Sequence, residues 1–271
     1  MTADDSLMQD AGCLIQDAEI KRKMQERYDG FATRVEQDVE AAHSADELWR
    51  MAEGQRPALA YFRRRKLNTA IALGRFRPGM SLLDVGCATG DYTFLLSRMG
   101  FCMTGADLSA KSVEIAQKKA QRLGVEVRFV TADAEELLGL PDNTFDGVVS
   151  FSALRYVPNL DRALTAVRRV LKPGGAASLD FPNRFCPWFR LLKNRFGVET
   201  HFHDHHYSGA EIHRCFTAAG FMDFSVRRIL FTSYLTPAPL LPAFQLVDVL
   251  GERTPGVNRT AAIIMAKGVK P

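Results

Sequence analysis

The chain has 271 residues, 46% of them hydrophobic and 24% charged, with a formal net charge of +4. That balance suits a globular protein with a sizeable core, and the mild positive charge allows an anionic substrate or a membrane surface without demanding either. No stretch has the length and apolarity of a membrane span, the polar, acidic residues Met1 to Asp10 do not read as a secretory signal, and five cysteines (Cys13, Cys87, Cys102, Cys186, Cys215) without a C-x-x-C pair suit free thiols in a reducing cytoplasm.

Residues 1–75 are expected to be helical and to form a cap or lid beside an α/β domain over 76–271. Ile20 to Val39 carries dense charge with spaced apolar residues, and Ala45 to Leu73 holds a second helical pattern. Within it, Tyr61-Phe62-Arg63-Arg64-Arg65-Lys66 reads either as a solvated helix face or as a grip for phosphates of a nucleic acid or a lipid surface. No nucleic-acid motif accompanies it, so no nucleic-acid partner is expected.

From Ser81 onward strands alternate with helices, the pattern of a parallel sheet covered on both faces. Leu82 to Asp91 reads as a buried strand, a tight glycine turn at Gly86 and Gly90, and a helix start. In such a sheet this turn is where a nucleotide-like cofactor sits, and the helix N-terminus offers unpaired N–H groups to an anion. A dinucleotide fingerprint needs G-x-G-x-x-G; counted from Gly86, its next two glycine positions hold Ala88 and Asp91. Cys102 to Asp107 reads as a second strand ending in an acid about twenty residues beyond the turn, where ribose hydroxyls are bound. Ser109 is a candidate N-cap for a helix ending at Gly124. A third strand is predicted over Val125 to Thr131, followed by Asp133, and a fourth over Phe145 to Ser150. A helix then runs from Leu160 into Leu171-Lys172-Pro173-Gly174-Gly175 and a fifth strand. Ser208 and Glu211 have capping-box spacing, and Phe221 to Phe231 and Ala261 to Lys267 supply two final strands.

Asp84, Gly86 and Gly90 match the D-x-G-x-G-x-G motif of class I S-adenosylmethionine (SAM) dependent methyltransferases, with Ala88 in place of one glycine. Asp107, Asp133 and the Leu171 to Gly175 turn follow in that family's order. The chain therefore resembles this superfamily closely over about 76–183, in its small-molecule or lipid type (methyltransferase domain 11-like). The resemblance implies a Rossmann-like seven-stranded sheet, order 3-2-1-4-5-7-6 with the last strand antiparallel, binding SAM and releasing S-adenosylhomocysteine. It implies that Asp84 orients the turn and reaches the methionine amino group through water. Gly86, Cys87, Ala88 and Gly90 would admit the methionine portion, Asp107 would bind ribose, Asp133 would meet the adenine amino group, and Leu108 and Ala134 would flank adenine. Tyr28-Asp29-Gly30-Phe31-Ala32 resembles a segment whose tyrosine covers the methionine end. Plainer readings stand beside these: Asp107 and Asp133 as acids at helix N-termini, Cys87 as a small filler, Tyr28 as ordinary packing.

Methyl transfer is an in-line displacement, and a base is needed only if the acceptor loses a proton. Phe151, at the end of the fourth strand, belongs with the cofactor residues. Relatives often place Glu-His where this chain has Arg155-Tyr156, beside the transferring methyl. Tyr156 is a candidate to hold an acceptor and Arg155 to bind a carboxylate or phosphate; the plain alternative is a solvated arginine beside a packed tyrosine. His201-Phe202-His203-Asp204-His205-His206 reads as a polar loop with helix-entry contacts or as the source of a base, for which His205 and His206 are the preferred candidates, with His203 a substrate contact; a zinc site is the lesser reading, and no metal is expected. Pro182 to Tyr207 and Thr232 to Asn258 exceed the bare fold and are expected to pack as a lid around an acceptor pocket with the N-terminal helices. The expected activity is methyl transfer to a small or lipid-like, largely apolar acceptor, at oxygen before nitrogen or carbon. Peripheral membrane contact is allowed, and oligomeric state has no sequence signal. A non-catalytic SAM-binding protein and, last, a nicotinamide-dependent oxidoreductase are the alternatives.

Overall fold

The structure is a computed structural model that describes residues 3–187 and 204–271, with side chains from Gln16 onward. Three helices come first: α1 (Ala3–Ala41), α2 (Ala45–Glu53) and α3 (Pro57–Gly74). Strands and helices then alternate: β1 (Ser81–Val85), α4 (Asp91–Arg98), β2 (Cys102–Asp107), α5 (Ala110–Leu123), β3 (Arg128–Thr131), β4 (Phe145–Ser150), α6 (Leu160–Val170) and β5 (Leu171–Pro182). The chain closes with α7 (Gly209–Ala218), β6 (Met222–Ile229), α8 (Leu241–Arg253) and β7 (Ile263–Val269). The seven strands form one sheet in the order β3-β2-β1-β4-β5-β7-β6. β7 runs antiparallel to both β5 and β6, and the remaining pairs are parallel. This is the expected architecture and strand order.

A central parallel strand is buried on both faces, so it reads as a continuous apolar run. In β1 the two-residue period sends Leu83 and Val85 to one face, into a core cluster that also holds Leu164 and Val167 of α6 and Phe216 of α7. Leu82 points to the other, against Leu67 and Ala70 of α3 and Leu96 of α4. The helix α3 is therefore a layer of the sheet core, and the division expected at residue 75 runs through that core. The helix α1 packs on α5 through Ala32, Val39 and Ile115.

Local signals set the boundaries. Ser109 caps α5 by accepting from the Ser112 amide at 2.9 Å, and both halves of the Ser208–Glu211 capping box form at α7. The strand β3 starts three residues later than predicted. Gly124 takes the left-handed conformation and the Val125 amide donates to the Ala120 carbonyl, so Val125 closes α5 instead of joining the sheet.

The basic run of α3 overturns both readings of it. Only Arg64 is exposed. Arg65 pairs with Glu252 at 2.5 Å, Arg63 pairs with Asp91 at 2.8 Å, and Lys66, fully buried, pairs with the equally buried Asp180 while donating to the Ser152 hydroxyl at 2.6 Å. The run stitches α3 to three other elements. Removing one partner of a buried pair strands the other charge. Lys66→Met is thus expected to lower unfolding stability by about 3–5 kcal/mol, and Lys66→Met/Asp180→Asn to recover part of it, because an amide oxygen can still accept from the Ser152 amide (2.6 Å from Asp180 Oδ1). Urea unfolding of the three proteins measures this.

Candidate functional site

Strand order reverses between β1 and β4, and a cavity of about 280 Å³ opens at their carboxyl ends, where open α/β sheets bind ligands. Its floor is the turn Gly86 to Thr89. Its walls are Asp107 to Ser109, Ala132 to Ala134, Phe151 to Ala153 and Tyr156 to Pro158, and α1 covers it with Met24, Tyr28 and Phe31.

The turn depends on one close approach. Gly86 has φ of 74°, and a Cβ there would lie 2.1 Å from the Ala153 side chain, so no other residue fits. Ala88 is left-handed too, at φ 46°, a conformation that costs a residue with a Cβ roughly 1–2 kcal/mol. It is held by its own amide, which donates to Asp107 Oδ2 at 2.7 Å.

Asp107 is the centre of the site. Its second oxygen accepts from the Ser109 amide at 2.9 Å. Burial pushes this carboxyl up, against the backbone N–H groups of Ser109, Ala88 and Leu108, which favour its charged form. Each oxygen keeps a further lone pair. Ser109, not Asp107, caps α5, so the plain reading of Asp107 as a helix-terminal acid does not apply. Asp133 likewise starts no helix: Oδ1 accepts from the Glu135 amide at 2.9 Å, and Oδ2 pairs with Lys21 of α1 at 2.7 Å. Lys21 also reaches the buried Glu135 at 2.8 Å. A second clasp on α1 is the Ser109 hydroxyl, 2.5 Å from Asp29 Oδ1.

Asp84 and Gly90 do not line the cavity. Asp84 is buried and accepts from the Thr93 hydroxyl at 2.7 Å, so it ties α4 to the end of β1 rather than reaching a ligand. Burial pushes its carboxyl up to about 7. Cys87 lines the cavity, but burial raises its thiol well above the ordinary range, which suits a filler rather than a nucleophile. Leu108, Ala134 and Phe151 line the walls, and Tyr92 stacks on Phe151 with ring centres 4.1 Å apart.

Tyr28 and Tyr156 meet at the cavity, ring centres 6.2 Å apart and hydroxyls hydrogen-bonded to each other. Burial raises Tyr28 to about 12 and Tyr156 further, so both hold their protons at neutral pH. Arg155, His205 and His206 are elsewhere. Two nitrogens of Arg155 grip the Asp204 carboxylate at 2.5 Å each, and His206 Nε2 lies 3.0 Å away. His205 pairs with Glu211 of the capping box at 2.9 Å. These side chains staple the loop before α7 to the loop after β4, and none lines the cavity. His201 and His203 lie outside the described residues. None of the cavity lining comes from the described parts of 182–207 or from 232–258.

Two lining residues escaped the sequence. Arg63 enters the cavity from α3 and meets Asp91 at the start of α4; Lys119 holds the other oxygen of Asp91 at 2.6 Å. Burial alone would raise Asp91, but the two cations hold it below its ordinary value. Lys21 is the other. Their partners are far away in sequence, so no local pattern marks them.

A family model described as a methyltransferase domain matches residues 83–179, the segment that builds most of this cavity. A ubiquinone biosynthesis O-methyltransferase of Caulobacter vibrioides is 32% identical over 115 residues, 42% of this chain and 46% of its own length. A ubiquinone/menaquinone biosynthesis C-methyltransferase of Haemophilus ducreyi is 41% identical over 105 residues, 36% of this chain and 40% of its own length. Among solved structures, a SAM-dependent methyltransferase of Thermotoga maritima, a possible histamine N-methyltransferase, superposes with a TM-score of 0.63 at 19% identity, over 92% of this chain and all of that one. Residues 83–179 thus match a methyltransferase domain, on a fold shared with a SAM-dependent methyltransferase. The chain spans about half the length of the curated relatives it matches.

A phosphoethanolamine N-methyltransferase of Haemonchus contortus that shares this fold is solved in complex with SAM. The residues present fit SAM: a two-oxygen acceptor at Asp107 and a backbone that Gly86 brings close.

Asp84 sets a pH dependence. Between its ordinary value of 3.8 and about 7 the folded chain holds a proton there that the unfolded chain has released. Stability therefore falls as pH rises through that window. Asp84→Asn is expected to flatten this slope in urea titrations from pH 4 to 7. His205→Gln and His206→Gln are expected to leave SAM affinity within about twofold in calorimetry, as changes outside a binding surface do.

Proposed function

We propose that the protein transfers the methyl group of SAM to a small, largely apolar acceptor of quinone type, at oxygen. The single observation that carries the cofactor half is Asp107, whose carboxylate bridges the glycine turn and the start of α5 with lone pairs to spare at the cavity. The acceptor half is supported by the relatives, which serve ubiquinone and menaquinone biosynthesis, and by the apolar wall of Met24, Phe31, Val157 and Pro158.

SAM, when bound, supplies an activated methyl at a sulfonium. The protein's share is to align, to exclude water and to hold the acceptor. Asp107 is suited to hold the ribose and Asp133 the adenine edge. Tyr28 and Tyr156, neutral on the covered side, are suited to hydrogen-bond an acceptor oxygen rather than to strip its proton. The O-methyltransferase of Caulobacter vibrioides among the relatives supports oxygen as the target atom.

Calorimetry with SAM, S-adenosylhomocysteine and NADH tests the cofactor half. Micromolar SAM binding that Asp107→Ala abolishes, with NADH inert, is expected; NADH binding would overturn the reading. Turnover with a hydroxylated, short-tailed quinol tests the acceptor half. Tyr156→Phe is expected to lower kcat on the order of tenfold with SAM affinity kept, the mark of an interaction made at the reacting end. A SAM-binding protein that turns over no quinol would favour a non-catalytic role.

A further inference from the structure

The helix α8 is built inside out. Its inward stripe carries the polar residues. Asp248, fully buried, accepts from the amides of Phe231 and Thr232, from the Thr232 hydroxyl and from the Tyr61 hydroxyl. Glu252, one turn on, pairs with Arg65 and accepts from the Leu230 amide. The outward stripe carries Leu246, Val247 and Leu250, with Leu246 and Leu250 58% and 57% exposed. Leu240 before the helix and Val257 after it are about half exposed as well, at 51% and 47%. A surface helix normally places its apolar stripe on the core. Here polar bonds take the core side and the apolar side faces out, so water is not the environment that completes it.

The charge around this face is one-sided. Between Thr232 and Thr260 the only carboxylates are Asp248 and Glu252, both turned inward, while Arg253 and Arg259 are exposed. Beside the helix lies a cavity of about 400 Å³ that Arg253 shares with Arg227 and Arg228 of β6. Its one carboxylate, Glu252, is already paired with Arg65. Apolar side chains rimmed by unneutralised arginines complement acyl chains beneath anionic headgroups. A second copy docking by the same face would set like charges together.

We propose that the outward face of α8 and the arginine-lined cavity beside it dock the protein on a bilayer containing anionic phospholipid. The helix lies in the interface plane, Leu246 and Leu250 enter the acyl boundary, and Arg227 and Arg253 meet phosphates. This reading is independent of the methyl-transfer proposal.

The experiment is flotation of the full chain with phosphatidylcholine vesicles, with and without phosphatidylglycerol. Expected are binding to the anionic vesicles only, loss of binding in Leu246→Glu/Leu250→Glu, and a drop on the order of tenfold in Arg227→Gln/Arg253→Gln, as charge removal near an anionic surface requires. Far-ultraviolet circular dichroism and SAM titration confirm that each variant is folded; both leucines are exposed, so neither readout should move. Absence of wild-type binding to anionic vesicles, or binding that survives both double changes, would overturn the proposal. So would a lipid-free dimer in light scattering that Leu246→Glu/Leu250→Glu dissociates, which would assign the face to a second copy.

Discussion

The site depends on the contact between the two loops that leave the sheet at its switch point. Gly86, after β1, passes so close to Ala153, after β4, that a methyl group does not fit between them. The two strand ends are locked by the Ser150 hydroxyl, which donates to the Val85 carbonyl at 2.8 Å. With the loops held at that distance, the amides of Gly86 and Cys87 both reach the Ala106 carbonyl. That fixes the end of β2 and, with it, the carboxylate of Asp107. Left-handed Ala88 is the cost of the geometry, and its bond to Asp107 is the offset.

Around this contact the walls are held by charge. Lys66–Asp180 ties α3 to β5, Arg63–Asp91–Lys119 ties α3 and α5 to the start of α4, and Lys21 ties α1 to Asp133 and Glu135. Buried pairs give little net stability once desolvation is counted. Their use here is positional: each fixes the direction of a helix whose side chains face the cavity. The cover differs from the walls. Above the cavity α1 is held by polar clasps at Lys21 and Asp29 and by the buried side chains of Ile20, Met24, Ala32 and Val39.

The sequence revealed what local chemistry dictates. The glycine turn, Asp107 at a strand end, the Ser109 cap and the Ser208–Glu211 box are all set within a few residues of themselves, and each is where the pattern put it. Asp84 was legible as important but not in its role: that it turns into the core toward Thr93 depends on how α4 packs. The histidines were misleading because their partners decide their use, and Glu211 and Arg155 claim them for the loop before α7. Arg63 and Lys21 were invisible for the converse reason, since Asp91 and Asp133 lie 28 and 112 residues away in the chain. The apolar content of Thr232 to Asn258 was legible but its direction was not. Hydropathy says that leucines seek an apolar neighbour, not that the neighbour belongs to the same chain.

One helix connects these features. On α3, Tyr61 bonds Asp248 and Arg65 bonds Glu252, which fixes the polar side of α8 against the body. Arg63, between them in sequence, enters the cofactor cavity, and Lys66 anchors the helix to the sheet floor through Asp180 and Ser152. The periodicity of a helix puts Tyr61 and Arg65 on one face and sends Arg63 and Lys66 in two other directions, so α3 meets the sheet, the cavity and α8 at once. Were α8 packed by its leucines instead, Tyr61 and Arg65 would face an apolar surface and the buried end of α3 would carry unpaired polar groups, at about 1–3 kcal/mol for each. The inward polar stripe of α8 is therefore required by α3, and the outward apolar stripe is what remains for the surface.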